Sequence, residues 1–202
     1  DDAGVEQICK ELIPAMAPGS YIIIHSTVHP DLCRSLAEEA VARNLRLLDA
    51  PVSGGGGGAA DGTLTVMLGG EEAAVAAVRP VLETFAGTIV HLGGVGTAQA
   101  AKVVNNSLMA ANLAVAHYAM EAAGTLGIDL QAFADLVKIS SGRSFALEVR
   151  ARMPEPQSFS HGASLLKKDL GLLGGAMGAS DPAYAFIRDV AAPFLDLARA
   201  PE

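Results

Sequence analysis

A long alanine-rich stretch, Gly93–Gly127, constrains the fold of this chain of 202 residues more than any other feature. The glycine-rich sequence GGVG leads into apolar residues that cover most directions of a helix, which predicts a largely buried helix over residues 97–123. At the rise of an α-helix, such an element would span about 40 Å, the diameter of a small domain. We therefore expect the rest of the chain to be organised around it.

A lysine early in this helix is the first candidate functional residue. Lys102 would lie in the first turns, where a cation interacts unfavourably with the helix dipole. Asn105 and Asn106 follow three and four residues later, so the amine and an amide would share one face of the helix. The amine would give a proton to a carbonyl oxygen, or polarise it, while Asn106 fixes the substrate. The alternative, which the spacing alone favours, is a lysine that extends from a buried helix to solvent.

Before the long helix, short apolar runs alternate with amphipathic segments. The patterns predict helices at residues 1–18, 31–44 and 71–85 and strands at residues 21–24, 45–49, 63–68 and 87–92. This alternation is typical of an α/β domain with a mostly parallel sheet. After about residue 95 only helix-like segments remain, at residues 129–141, 144–152 and 162–177. We therefore predict an α/β domain over residues 1–94 and an all-α domain over residues 95–202.

Five consecutive glycines, Gly54–Gly58, follow Ser53. Such a run is not expected inside a helix or a strand, because glycine loses much conformational freedom on folding. The pattern G-x-G-x-x-A begins at Gly54, but a dinucleotide fingerprint requires a strand before the loop and a helix after it, whereas a strand is predicted from Thr63. An ordered loop whose backbone N–H groups, beside Ser53, bind a carboxylate or phosphate is the preferred interpretation. A flexible linker is the alternative.

Two further segments each have a functional and a structural interpretation. Ser26 and Thr27 follow a predicted strand, and the carboxyl ends of strands are where ligands bind in open α/β sheets. The same residues would also serve as an ordinary helix cap. The sequence Lys167-Lys168-Asp169 by itself is best explained as a solvated cluster of charges on a helix.

Composition and charge exclude several classes of function. A net charge of −8 without a basic stripe disfavours nucleic-acid binding. The most apolar window, residues 107–126, contains Asn112, His117 and Glu121, which argues against a membrane span. No leader is recognised, the two cysteines form no metal or redox motif, and the histidines lack metal-ligand spacing. We expect a cytoplasmic protein with small-molecule partners and no metal.

Four segments, taken together and in order, resemble the β-hydroxyacid dehydrogenase family. HSTVHP is similar to the family's S-T-V-x-P segment on the nicotinamide side of the cofactor, and LLKKDLGL is similar to its K-D-L segment. DAPVSGGGGGAADGTLTVMLGG resembles the substrate-binding signature, and GGVGTAQAAKVVNN resembles the catalytic stretch G-x-G-x-x-x-x-x-K-x-x-x-N. The resemblance extends from Ser26 to Leu170, which is nearly the whole chain.

The resemblance implies the later part of a Rossmann-type domain, followed by an all-α domain with a long interdomain helix. It implies reversible hydride transfer between NAD or NADP and a small 3-hydroxy acid or its semialdehyde, in a homodimer or homotetramer formed through the helical domain. The implied roles are catalytic acid or base for Lys102, substrate orientation for Asn106, carboxylate binding for Ser53, Gly54 and Gly55, and cofactor contact for Thr27 and Lys168.

The chain also departs from the family pattern. The opening strand, G-x-G-x-x-G loop and helix of the family are not recognised, so a truncated form that binds cofactor poorly is expected. Ile24 stands where an acid is common and His161 where an aromatic residue is common, which affects substrate identity more than reaction type. Imine reductases usually lack the lysine found at Lys102. The competing hypotheses are an inactive remnant that serves as a dimerisation or binding module, and a 6-phosphogluconate-dehydrogenase-like enzyme with Arg143 and Arg150 near the phosphate.

Overall fold

A computed structural model describes residues 1–199, which form two compact units, residues 1–103 and the chain from Val104 onward. The last three residues of the predicted domain over residues 95–202 lie outside the described residues. The long helix belongs to both units, because it runs from Thr97 to Thr125. The two units are described separately below.

Within residues 1–103, the predicted strands and helices are present, together with a short strand and a short helix that were not predicted. The strands are β1 (Tyr21–Ile24), β2 (Arg46–Asp49), β3 (Val52–Ser53), β4 (Leu64–Gly69) and β5 (Ala86–Gly93). The helices are α1 (Asp2–Ala15), α2 (Pro30–Val41), α3 (Gly55–Ala60), α4 (Glu72–Leu82) and the start of α5 (Thr97–Thr125). The two longest strand pairings, β1 with β2 and β4 with β5, are parallel, while β4 pairs antiparallel with β3 and with the end of β2. The predicted α/β class with a mostly parallel sheet is therefore confirmed.

Helices cover both faces of this sheet because neighbouring residues of a strand point to opposite sides. On β2, Leu47 packs into a cluster with Ile22, Ile24 and residues of α1 and α2. Its neighbour Leu48 packs into a second cluster with Val66 and residues of α4. Each face of the sheet thus has its own apolar core, and a slip of one residue would exchange the two sets of side chains.

The glycine run does not form the loop predicted for it. Gly55–Ala60 forms the short helix α3, in which the amide of Asp61 donates to the carbonyl of Gly57 at 2.9 Å. Glycine costs about 1 kcal/mol per residue in a helix, but this cost is entropic and leaves helical geometry accessible. Gly54 and Gly55, with φ of 127° and 62°, turn the chain into the helix. The strands on either side, β3 and β4, are antiparallel, so this element is not the parallel unit of a dinucleotide fingerprint.

Within residues 104–199 the regular elements are helical. They are the remainder of α5, α6 (Leu130–Lys138), α7 (Phe145–Arg152), a 3₁₀ turn (Pro156–Phe159), α8 (Ser160–Met177) and α9 (Pro182–Leu197). One core joins α5, α7, α8 and α9, with Leu113 of α5, Leu170 of α8 and Phe194 of α9 among its buried residues. The predicted all-helical region is confirmed, although α9 was not predicted. Of the helices in the described part of the chain, none combines the length and apolar character needed to span a bilayer.

Candidate functional site

The N-terminus of α5 is held by the last residue of β2. Asp49 is 0% exposed, and its two carboxylate oxygens accept from the backbone amides of Gly96 and Gln99, both at 2.8 Å. A carboxylate at this position satisfies two of the amides that a helix start leaves without an intrahelical partner, and it complements the positive end of the helix dipole. A side chain on Gly69, opposite Asp49 in the sheet, would collide with this carboxylate. The carboxyl end of β2 and the start of α5 are therefore fixed to each other.

The side chain of Gln99 connects the same helix turn to the segment that follows β1. Its Nε2 donates to the carbonyl of Ser26 at 2.8 Å, and its Oε1 accepts from the amide of Val28 at 3.2 Å. Gln99 is 0% exposed, and the half-buried Thr27 lies between the two residues that it binds. The structure thus brings together two stretches that the sequence had singled out separately, the Ser26–Thr27 segment and the start of the long helix.

Lys102 lies on α5 one turn after Gln99. The residue is only 8% exposed, so this lysine does not extend to bulk solvent as the alternative interpretation expected. Lys102 lies within the first two turns of α5, close to the positive end of the helix dipole. Because the dipole disfavours a cation at this place, helix stability does not account for Lys102.

Asn106, one further turn along α5, is oriented by a buried acid of α8. Its Nδ2 donates to Oδ2 of Asp169 at 2.6 Å, and its Oδ1 accepts from Nδ2 of Asn105 at 3.2 Å. Asp169 is 3% exposed, and its other oxygen lies 3.0 Å from Nζ of Lys168. That oxygen has no well-oriented hydrogen bond, so its contact with Lys168 is an ion pair. Within the second unit, Asp169 therefore joins two of the predicted site residues.

The third predicted group, Ser53 with Gly54 and Gly55, lies where β3 ends and α3 begins. Ser53 is half-buried and is paired with Thr65 of β4 in the sheet, while Gly54 and Gly55 are exposed. A Cβ atom on Gly54 would lie 3.0 Å from Cδ2 of Leu64, and the positive φ of both glycines disfavours any other residue. The backbone therefore restricts residue 54 to glycine and favours glycine at residue 55.

Arg150, a candidate phosphate ligand in the sugar-acid hypothesis, is used inside the helical unit. It is 8% exposed, its Nε donates to Nδ1 of His117 at 3.1 Å, and its Nη1 donates to the carbonyl of Met153 at 3.2 Å. Burial, and secondarily the charge of Arg150, lower the pKa of His117, while burial also lowers the pKa of Arg150. A neutral His117 accepting from a charged Arg150 explains this arrangement without a ligand. Arg143, the other candidate, is exposed.

Asp49 and Gln99 belong to the candidate site but were not predicted from the sequence, and Asp169 was predicted only as part of a solvated charge cluster, which is wrong for this residue because it is buried. A signal for the first was present, since Asp49 directly follows a predicted strand. Gln99 also left a signal, because it is an amide among small and apolar residues at the start of a helix predicted to be buried. A buried polar side chain needs a hydrogen-bond partner.

Two protein families match the chain, one for each part. Residues 1–93 match the family described as the NAD binding domain of 6-phosphogluconate dehydrogenase. Residues 96–196 match the family described as NAD-binding of NADP-dependent 3-hydroxyisobutyrate dehydrogenase. Together they cover nearly all of the described residues.

Individual relatives agree with these families. Mitochondrial 3-hydroxyisobutyrate dehydrogenase of Drosophila melanogaster is 40% identical over 77% of this chain and 51% of its own length. NAD-dependent L-serine dehydrogenase of Pseudomonas aeruginosa is 39% identical over 84% of this chain and 60% of its own length. A solved structure of Mycobacterium tuberculosis 3-hydroxyisobutyrate dehydrogenase with L-serine superposes with a TM-score of 0.84 at 33% identity, covering 98% of this chain and 73% of that one. The chain thus spans little more than half the length of the two curated relatives.

Proposed function

The chain belongs to the β-hydroxyacid dehydrogenase family, and from that premise we propose that it takes part in reversible hydride transfer between NAD or NADP and a small 3-hydroxy acid. The observation that carries the proposal is the nearly complete burial of Lys102 in the first turns of α5. A bound nicotinamide would supply the hydride donor or acceptor. The chain's own residues would bind the acid, orient its hydroxyl group and move the proton.

In this proposal Lys102 is the catalytic acid and base. When the carbonyl form is reduced, its ammonium group gives a proton to the oxygen on which negative charge develops; in the oxidation direction the amine takes the hydroxyl proton. A cation close to that oxygen also stabilises the developing alkoxide, and it acts more strongly in a site from which water is excluded. The burial of Lys102 supports both roles.

Asn106 would orient the substrate. The Asp169 carboxylate can only accept, which forces the NH₂ group of the Asn106 amide toward it. One amide hydrogen is used in this bond, and the second, with a remaining lone pair on Oδ1, is left to bind the hydroxyl or carbonyl oxygen of the substrate. Asp169 therefore selects which end of the amide the substrate meets.

The remaining roles rest on the family resemblance. Ser53 and the backbone amides of Gly54 and Gly55 would bind the substrate carboxylate, and Thr27 and Lys168 would contact the cofactor. Gly54 and Gly55 are exposed and carry no side chain, which leaves their backbone amides open to close approach of a ligand. The tethering of residues 26 and 28 by Gln99 supports an ordered contact at Thr27.

We also propose that the protein forms a homodimer or homotetramer through its helical unit. Several large apolar side chains are exposed on this unit, which a partner surface would cover. They are Leu126, Leu136, Ile139, Phe145 and Phe186. The cytoplasmic location expected from the cysteines stays a prediction.

The proposal is tested with the protein in its full native length. Binding of NAD(H) and NADP(H) is measured by calorimetry, and turnover is followed by nicotinamide absorbance with 3-hydroxyisobutyrate, L-serine and a phosphorylated sugar acid. We expect turnover of a small 3-hydroxy acid, and we expect Lys102→Met to reduce it about 10²- to 10⁴-fold with cofactor binding retained.

The matched control is Lys138→Met on α6, whose lysine is exposed and pairs with Asp135. This variant should keep normal turnover. An unchanged rate in Lys102→Met would remove that lysine from the mechanism. Absence of both cofactor binding and turnover in the native protein would favour the inactive binding module, and turnover of the sugar acid alone would favour the 6-phosphogluconate-dehydrogenase-like alternative.

A further inference from the structure

Gln99 uses its polar groups inside the protein, although nothing about the helix itself requires an amide there. Its neighbours Ala98 and Val103 on α5 are also fully buried, and an apolar residue would avoid the cost of burying a primary amide. Its backbone N–H donates to Asp49, its Nε2 donates to Ser26 and its Oε1 accepts from Val28. A side chain that donates to one segment residue and accepts from another fixes the segment that it joins to the helix.

The two side-chain bonds of Gln99 hold the backbone on both sides of one residue. The carbonyl of Ser26 and the amide of Val28 belong to the peptide groups that precede and follow Thr27. With both peptide planes held by a single rigid amide, the direction in which Thr27 presents its side chain is restricted. A carboxylate or an apolar side chain at residue 99 would hold at most one of these two groups.

The same amide also links this segment to the lysine. Lys102 follows Gln99 by three residues, which places both on one side of α5 about 4.5 Å apart along its axis. The helix turn that carries them is itself held at Gly96 and Gln99 by Asp49. The position of the Thr27 segment relative to the backbone of Lys102 is thus set by one side chain and one helix turn.

We propose that Gln99 is a positioning residue of the dehydrogenase, which holds the Thr27 segment in register with the turn of α5 that carries Lys102. This inference rests on the proposed function, in which Thr27 contacts the cofactor and Lys102 moves the proton. Hydride and proton transfer need the cofactor and the acid in one fixed geometry, and an error of about 1 Å costs on the order of 10²-fold in rate. Gln99 would supply that geometry without touching either reactant.

The test is Gln99→Met, which keeps the length of the side chain and removes both hydrogen bonds. We expect a folded protein with a higher KM for the cofactor and a kcat/KM lower by roughly tenfold to a hundredfold. The control is Gln131→Met on α6, where the glutamine is exposed and bonds only Asp135 of its own helix. Normal turnover by folded Gln99→Met would overturn the proposal.

A double-mutant cycle separates positioning from a general loss of stability. Gln99→Met is introduced into the unmodified protein and into Thr27→Ala, and the rise in cofactor KM is measured in each. If Gln99 acts through Thr27, the rise should be at least fivefold smaller in the Thr27→Ala background. Fully independent effects would overturn the proposal. If Gln99→Met does not fold, Gln99→Glu repeats the cycle, because the carboxylate keeps the acceptor for Val28 and loses the donor to Ser26.

Amide hydrogen exchange distinguishes failure of this inference from failure of the proposed function. The amide of Val28 should exchange at least tenfold faster in Gln99→Met, without substrate or cofactor present. An unchanged exchange rate would refute the tether even in an active enzyme. If the amide of Val28 exchanges faster in Gln99→Met but the native protein binds no nicotinamide cofactor, the tether is supported. The dehydrogenase function, on which the positioning role depends, is then refuted.

Discussion

Replacement of Asp49 by asparagine tests how the first turn of α5 is anchored. Asp49 is fully buried, and each carboxylate oxygen accepts one backbone amide at 2.8 Å. Asparagine has nearly the same shape, but only one of its two terminal atoms can accept. Its NH₂ group would therefore point at the backbone N–H of either Gly96 or Gln99, and two donors cannot form a hydrogen bond.

The cost follows from the bonds that are changed. Hydrogen bonds to charged groups contribute about 1.5–3 kcal/mol each, and a buried donor without a partner costs about 1–3 kcal/mol. In Asp49→Asn, one of the two charged hydrogen bonds becomes a neutral bond of about 1 kcal/mol and the other is lost. The variant also no longer buries a charge, which offsets part of the lost stability. We expect Asp49→Asn to lower the free energy of unfolding by about 3 kcal/mol, or roughly 6–12 °C in Tm for a chain of this size.

Thermal and urea unfolding followed by far-UV circular dichroism measures this loss, since the chain has no tryptophan. The control is Asp129→Asn, because Asp129 caps α6 through one exposed bond to the amide of Ala132 and asparagine caps a helix about as well as aspartate. The control should lie within about 0.5 kcal/mol of the unmodified protein. An equally small change in Asp49→Asn would refute the conclusion that Asp49 anchors α5.

Two further predictions concern buried titratable groups. Since the pKa of His117 is lowered by burial and by Arg150, the unfolded chain takes up a proton below about pH 6.5 that the folded protein does not. The free energy of unfolding should therefore fall from its value above pH 6.5 as the pH decreases, by up to about 1.4 kcal/mol per pH unit, and His117→Gln should remove this part of the slope. Burial, with the charge of Asp49, raises the pKa of Cys33 to about 12, so a disulfide reagent at pH 8 should label this thiol only after unfolding in guanidinium.

Each of these measurements has its own control. The control for the pH dependence is His161→Gln, which removes an exposed histidine and leaves the buried pair of His117 and Arg150 in place. If the free energy of unfolding depends on pH with the same slope in the native protein and in His117→Gln, the prediction is wrong. His117 would then be protonated to the same extent in the folded and unfolded states. Cys9 is also buried, so Cys9→Ser leaves Cys33 as the only thiol; labelling of that variant at the rate of a free thiol without denaturant would contradict the burial of Cys33.

Periodicity predicted the regular elements well because most of them bury one face. The long helix was expected over residues 97–123 and runs from Thr97 to Thr125, and β1 was predicted with its observed ends. Strand β3 has two residues, too few for any pattern, and α9 was missed although Asp181 and Pro182 form an ordinary helix start. The glycine run was predicted wrongly because a high entropic cost was taken to exclude a helix.

Residues of the candidate site could be proposed from the sequence only where a motif contained them. Lys102 and Asn106 stand one helical turn apart, and this spacing is visible in the sequence. The partners of Gln99 and Asp49 lie 47 to 73 positions away along the chain, and those contacts exist only once the sheet and the helix are assembled. Tertiary hydrogen bonds of this kind leave no local pattern, apart from a polar residue in an otherwise apolar stretch.

The glycine helix α3 has few contacts that would be lost if it unfolded. Four of the six residues of α3 lack side chains, and none of the six is buried, so only a few backbone hydrogen bonds oppose its melting. At about 1 kcal/mol per glycine, we expect α3 to unfold locally and often while the sheet beside it stays intact. A ligand bound at Ser53 and Gly54 would have to order this segment, and the free energy of ordering would reduce its affinity. Ligands that make more contacts with the ordered segment would therefore bind more tightly.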